Sequence, residues 1–65
     1  MGTPLDLFAV KDGEPKWVGC AETLARVLLL AIRQGEGWYF VFSQQTGDRD
    51  SYRVSADGLV ERAAS

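Results

Sequence analysis

One segment of this 65-residue chain has the periodicity of an α-helix, and it limits what the remaining segments can form. Residues 23–34 read T-L-A-R-V-L-L-L-A-I-R-Q, with Thr23 as a candidate N-cap and Gly35 as a candidate C-terminal stop. The apolar positions at helical spacing form a stripe that we predict to face the core: Leu24, Val27, Leu28 and Ala31, with Ile32 at its margin. We therefore predict one helix, and one helix can cover only one face of a sheet.

The segments before the helix have the residue pattern of a β-hairpin. L-D-L-F-A-V at residues 5–10 and P-K-W-V at residues 15–18 flank Asp12-Gly13, a pair that accepts the positive φ angles of a tight turn. Pro15 has no amide to donate, so the second strand is predicted at a sheet edge. We expect residues 19–22 to turn the chain into the helix.

The segments after the helix predict two or three further strands. W-Y-F-V-F at residues 38–42 is apolar on both faces, which is typical of a central strand. A polar hairpin loop at 44–50 leads to S-Y-R-V at 51–54, and a second Asp-Gly pair precedes L-V-E-R at 59–62. The fold prediction is a single α+β domain over residues 1–65, with residues 1–4 and 63–65 frayed. One helix packs on one face of a mainly antiparallel four- or five-stranded sheet, in the order β-β-α-β-β-β.

Three short motifs resemble those of a known group of proteins. D-G-x-x-x-W at residues 12–17, T-L at 23–24 and F-S-Q-Q-T-G at 42–47 are similar to motifs in short uncharacterised bacterial proteins, which carry a D-G turn, a T-L helix start and an aromatic F-x-Q-x-T-G hairpin. Trp38 and the apolar helix depart from that pattern. The resemblance implies a β-β-α-β-β fold and brings no activity with it.

Composition argues against catalysis, cofactors and metal binding. The chain has no histidine and a single cysteine, so it lacks the usual general base and cannot form an internal disulfide. We predict that it is not an enzyme and binds no cofactor or metal, with Cys20 as a small core or boundary residue. The late acids lack the spacing of a calcium loop, and they are expected to serve turns and surface: Asp48, Asp50, Asp57 and Glu61.

The charge and the apolar runs indicate where such a chain would reside. Seven basic against nine acidic residues give a net charge of −2, which favours neither nucleic acid nor anionic lipid. The longest apolar run, residues 27–32, is too short for a membrane span, and the N-terminal residues lack a signal-peptide pattern. We expect a cytoplasmic protein that does not bind membranes.

Two surfaces are candidates for contact with another protein or with a second copy of the chain. The back of the helix combines two arginines with two leucines, Arg26, Leu29, Leu30 and Arg33, although one leucine could be covered by the sheet margin or by the C-terminal tail. The arginines could meet acids such as Glu22 or Asp50 across an interface. The sheet face away from the helix is expected to expose aromatic residues, among which we place Trp17, Trp38 and Tyr52.

The functional prediction is a small protein-binding module, such as an inhibitor of a larger protein. Small acidic proteins of this class include phage anti-CRISPR proteins and antitoxins, an analogy of class alone. The alternatives are a single-stranded nucleic-acid binder, which would use Lys16 and Arg53 beside the aromatic residues, and a structural protein of unknown role. The negative net charge makes nucleic acid the weaker alternative.

Overall fold

The computed structural model describes residues 4–63, and it confirms the α+β prediction. Within these residues the elements are β1 (Leu5–Lys11), β2 (Glu14–Ala21), α1 (Leu24–Gln34), β3 (Gly37–Ser43), β4 (Arg49–Val54) and β5 (Val60–Arg62). They form one five-stranded sheet in the order β2-β1-β3-β4-β5, and all neighbouring strands are antiparallel. The central position of β3 agrees with its apolar sequence. The fraying predicted for the chain ends falls mostly on residues 1–3 and 64–65, which lie outside the described residues.

The β1–β2 hairpin has the predicted turn but a longer second strand. Asp12 and Gly13 have φ angles of 54° and 78°, the left-handed pair that a tight hairpin turn requires. As predicted, β2 lies at an edge of the sheet. The expectation that residues 19–22 leave the sheet was wrong, because Gly19 pairs with Leu7 and the strand continues to Ala21. The register shifts between Leu7 and Phe8, which leaves Val18 as the extra residue of a bulge.

Both predicted ends of the helix are confirmed. The Thr23 hydroxyl accepts a hydrogen bond from the Arg26 amide at 3.3 Å, as an N-cap does. Gly35, with φ of 106°, donates its amide to the carbonyls of Ala31 and Ile32. The helix therefore begins and ends where local sequence specifies, between edge strand β2 and central strand β3.

The core lies between the helix and one face of the sheet. The helix packs mainly on β1 and β2. Its buried centre is Val27 and Ala31, with Leu28 and Leu30 half-buried on either side. The buried face of the helix is therefore rotated relative to the predicted stripe. Leu30 packs against the core, and Leu24, at the first turn, is exposed. The buried residues are Leu7, Ala9, Val27, Ala31, Tyr39, Val41, Tyr52 and Val54.

The prediction for Tyr52 was also wrong, because its side chain lies in the core. Sequence reasoning placed it with Trp17 and Trp38 on an accessible aromatic surface, but its side chain is 6% exposed. The strand pairing gives the reason: Tyr52 lies opposite Tyr39, which itself pairs with Ala9, so all three side chains point toward the helix side. Tyr52 is therefore part of the core and is not available to a docking partner.

Candidate docking surface

The sheet face opposite the helix carries a continuous group of aromatic side chains. Successive residues of a strand point to opposite faces, so strand register decides which residues share this side. Phe8 pairs with Phe40 and with Trp17, and Phe40 is flanked along β3 by two further aromatic residues. We call these residues the platform: Phe8, Trp17, Trp38, Phe40 and Phe42. No other element of residues 4–63 covers it.

The platform contains every phenylalanine and tryptophan of the chain, whereas both tyrosines are buried in the core. Trp17 and Trp38 are 61% and 52% exposed, and the three phenylalanines are half-buried among their neighbours. Large exposed apolar groups that adjoin one another are typical of interaction surfaces, while isolated ones are not. Of the predicted docking residues, the structure therefore brings Trp17 and Trp38 together on one surface.

The aromatic rings of the platform are already packed against neighbours. The Phe8 and Phe40 rings are nearly parallel, at an interplanar angle of 10°, with centroids 4.8 Å apart. Coplanar rings would collide at that separation, so the two rings overlap face to face in an offset stack. The Arg49 guanidinium lies 5.7 Å from the Phe40 centroid, and that of Arg53 lies 5.8 Å from the Trp38 centroid. These contacts hold the rings of Phe8, Phe40 and Trp38 against their neighbours.

A carboxylate at one end of the platform holds two other elements in place. Asp6 on β1 accepts a hydrogen bond from the Trp17 indole nitrogen at 3.3 Å and another from the Gln44 amide at 2.7 Å. The first bond fixes the orientation of an exposed ring on the edge strand. The second ties the β3–β4 loop to β1, beside a shallow depression of about 420 Å³. Its lining is Phe8, Phe40, Phe42, Gly47 and Arg49.

Charge on this face is balanced. Among its strand residues, Arg49 and Arg53 on β4 are the cations, and Asp6 on β1 and Glu61 on β5 are the anions. The arginines adjoin the aromatic rings, and Glu61 pairs directly with Arg53. The face therefore presents an aromatic centre with mixed charges at its border, the composition typical of protein interfaces.

The back of the helix exposes only one of the two leucines that were predicted there. Leu29 is 57% exposed between Arg26 and Arg33, but Leu30 contacts the core and lies near Gly19 on β2. Asp50, one proposed partner of the helix arginines, instead receives a 2.8 Å hydrogen bond from Arg62. Leu29 adjoins Ile32, which lies three residues later and is 38% exposed, so this surface keeps two aliphatic side chains against the five aromatic residues of the platform.

Cys20 is exposed, so the expectation of a buried or boundary residue was wrong. Cys20 lies on edge strand β2 and pairs with Asp6 on β1. Alternation along β2 directs the Cys20 side chain to the platform side, away from the core. Within residues 4–63 no group of three or more His, Cys, Asp or Glu side chains is arranged to hold a metal ion.

One pKa in the described residues departs from its ordinary value in a direction that burial explains. Desolvation raises the pKa of the Tyr39 hydroxyl, because the charged phenolate is disfavoured away from water. This hydroxyl donates a 2.8 Å hydrogen bond to the Gly35 carbonyl. Tyr39 therefore links the helix C-terminus to β3, and its role here is structural.

Most platform residues were not singled out from the sequence. Phe8, Phe40 and Phe42 are missed because an isolated strand does not indicate which face the helix covers. The available signal was alternation: residues 5, 7 and 9 form one apolar row, which leaves Phe8 on the opposite face. Applying the same alternation to residues 38–42 separates Trp38, Phe40 and Phe42 from Tyr39 and Val41.

The fold and surface together define a small one-helix α+β protein with an ordered, uncovered aromatic sheet face. No helix in the described part of the chain is long and apolar enough to cross a membrane. Comparisons with protein-family models, with curated proteins and with solved structures found no match.

Proposed function

We propose that this chain is a non-enzymatic binding module that docks another protein through the platform. The observation that carries the proposal is the placement of every phenylalanine and tryptophan on one uncovered face. Covering such a surface removes apolar area from water at roughly 25 cal/mol per Å². Tryptophan and arginine, which both occur on this face, are also among the residues that most often dominate the binding energy of protein interfaces.

Three features favour protein over single-stranded nucleic acid as the partner. Base stacking needs free ring faces, but Phe40 lies between Phe8 and Arg49, and Arg53 covers one face of Trp38. The strand residues of this face carry as many acids as arginines. The whole chain has a net charge of −2, whereas phosphate contacts supply most nucleic-acid affinity.

The small size of the chain is consistent with a protein that acts by covering a surface of its partner. A 65-residue domain that contains no histidine can still alter a larger protein by covering one of its surfaces. We propose that it works in this way, as an inhibitor or as a subunit of an assembly. The analogy with anti-CRISPR proteins and antitoxins stays at the level of class.

The test is capture from lysate of the source organism by the immobilised chain and two matched variants. Trp38→Ser removes a platform residue that is 52% exposed, and Leu29→Ser removes a helix residue that is 57% exposed, so both should fold. Proteins identified by mass spectrometry should be lost with Trp38→Ser and retained with Leu29→Ser. Loss with Leu29→Ser alone would place the docking surface on the helix instead.

A second measurement addresses the nucleic-acid alternative. Labelled single-stranded RNA and DNA are titrated with the wild-type chain at low salt, where electrostatic binding is strongest. The proposal expects no binding in the micromolar range. Micromolar binding that weakens with added salt and with Arg53→Ser would replace protein docking by nucleic-acid binding.

A further inference from the structure

We propose that the platform is occupied by a second copy of this chain, with β3 of the two copies facing each other across a two-fold axis that runs along the strand. This inference rests on the proposed use of the platform as a docking surface and names its partner. The arrangement of charges about β3 supplies the first argument. Asp6 on β1 and Arg49 on β4 pair in register with the same residue, Phe42, from its two sides.

Consider a two-fold axis that runs parallel to β3 and midway between two facing sheets. This axis places β1 of one copy opposite β4 of the other. Asp6 of one copy then faces Arg49 of the other, and the symmetric pair forms as well. Along the axis, each of the β3 aromatic residues meets its own counterpart, beginning with Trp38. Facing sheets cross at about 30° because of their twist, a displacement that an arginine side chain can span.

An axis perpendicular to β3 in the same plane gives a poorer match. This axis reverses the direction of the strands and keeps β4 opposite β4. Arg49 of one copy therefore lies opposite Arg53 of the other. Both cations lie on β4, and like charges brought together across an interface oppose association. Charge therefore selects the axis along β3.

The available area is sufficient for a weak symmetric interface. Strands about 4.8 Å apart that rise about 3.3 Å per residue give the open face a plane area of roughly 400–500 Å². Protruding side chains add to this plane area, so the surface buried by two such faces approaches about 1,200 Å², the low end for specific interfaces. Sheets that pack face to face also place such side chains in an apolar layer about 10 Å thick.

The experiment combines sedimentation equilibrium over a concentration series with a charge exchange. Wild-type chain should form a dimer that dissociates on dilution, and Arg49→Glu and Asp6→Arg should each weaken it about tenfold or more. An equimolar mixture of the two variants should dimerise again, because each heterodimer regains opposite charges at both symmetric positions. Arg26→Glu makes the same charge change on the helix and should leave the dissociation constant unchanged.

Asp6→Arg also removes the hydrogen bonds to Trp17 and Gln44, so circular dichroism must confirm its fold. If it does not fold, Trp38→Ser tests the platform as the dimer interface and should give a monomer. A wild-type chain that stays monomeric throughout, or a folded variant mixture that fails to dimerise, overturns the second-copy proposal. Lysate capture lost with Trp38→Ser would still support docking of another protein, so the two proposals fail separately.

Discussion

Adjacent helix residues Leu29 and Leu30 provide a sensitive test of the packing described above. Leu30 contacts the core, and a Cβ placed on Gly19 would lie 3.6 Å from its Cδ1 atom. Leu29 is 57% exposed on the opposite side. Fully buried Leu→Ala changes cost about 2–5 kcal/mol, so half-buried Leu30→Ala should lower the free energy of unfolding by about 1–2.5 kcal/mol. Leu29→Ala should change it by less than about 0.5 kcal/mol.

Replacement by glutamate should give a larger difference in stability between the two positions. A domain of this size has a stability of about 3–10 kcal/mol, and Leu30→Glu places an unpaired carboxylate against the core, so a large fraction of that variant should be unfolded. Leu29→Glu should remain folded. Urea denaturation followed by circular dichroism measures both pairs, with the slope against urea as a check on two-state behaviour. Equal losses at the two positions would refute the helix orientation.

Further substitutions address the turn, the cap, the thiol and the buried hydroxyl. Thr23→Ala removes the N-cap and should cost about 1 kcal/mol in urea denaturation. Gly13→Ala meets no atom within 4 Å but must hold φ of +78°, so it should cost about 1–2 kcal/mol from backbone strain alone. Cys20 should react with iodoacetamide without denaturant, as detected by mass spectrometry, whereas a slow reaction that requires urea would mean it is buried. The raised pKa of Tyr39 means that its contribution to stability is complete below about pH 10 and is lost as pH rises through the folded value. Tyr39→Phe should therefore flatten the alkaline decline in thermal stability, while losing about 1 kcal/mol at neutral pH with its hydrogen bond.

The parts of the fold that sequence predicted are those specified by local chemistry. The helix ends follow from a hydroxyl and a glycine at its termini, and the first hairpin follows from two residues that accept positive φ. The central strand follows from apolar residues on both of its faces. Each signal lies within a few residues of the feature that it determines, so no knowledge of the tertiary fold is needed.

The parts that sequence missed depend on contacts between distant segments. β2 extends to Ala21 because Leu5 and Leu7 provide pairing partners across a bulge, and nothing in the local sequence of residues 19–21 indicates this. The helix orientation is ambiguous from sequence because residues 27–32 are apolar without interruption, so rotated stripes are equally apolar. The positions of Tyr52 and Cys20 follow from strand register, which tertiary pairing fixes.

The division of aromatic residues between the two faces of the sheet is itself an argument about function. Tyrosine carries a hydroxyl that needs a partner when buried, and Tyr39 finds one in the Gly35 carbonyl. Phenylalanine carries no polar atom, so burial is the more favourable placement for stability, yet the core of this chain contains no phenylalanine. A sequence shaped by monomer stability alone would favour the reverse assignment, with Phe8, Phe40 and Phe42 against the helix and the tyrosines facing water. The observed arrangement does not gain that stabilisation in the free monomer, and an interface that buries the platform, as proposed above, would supply it.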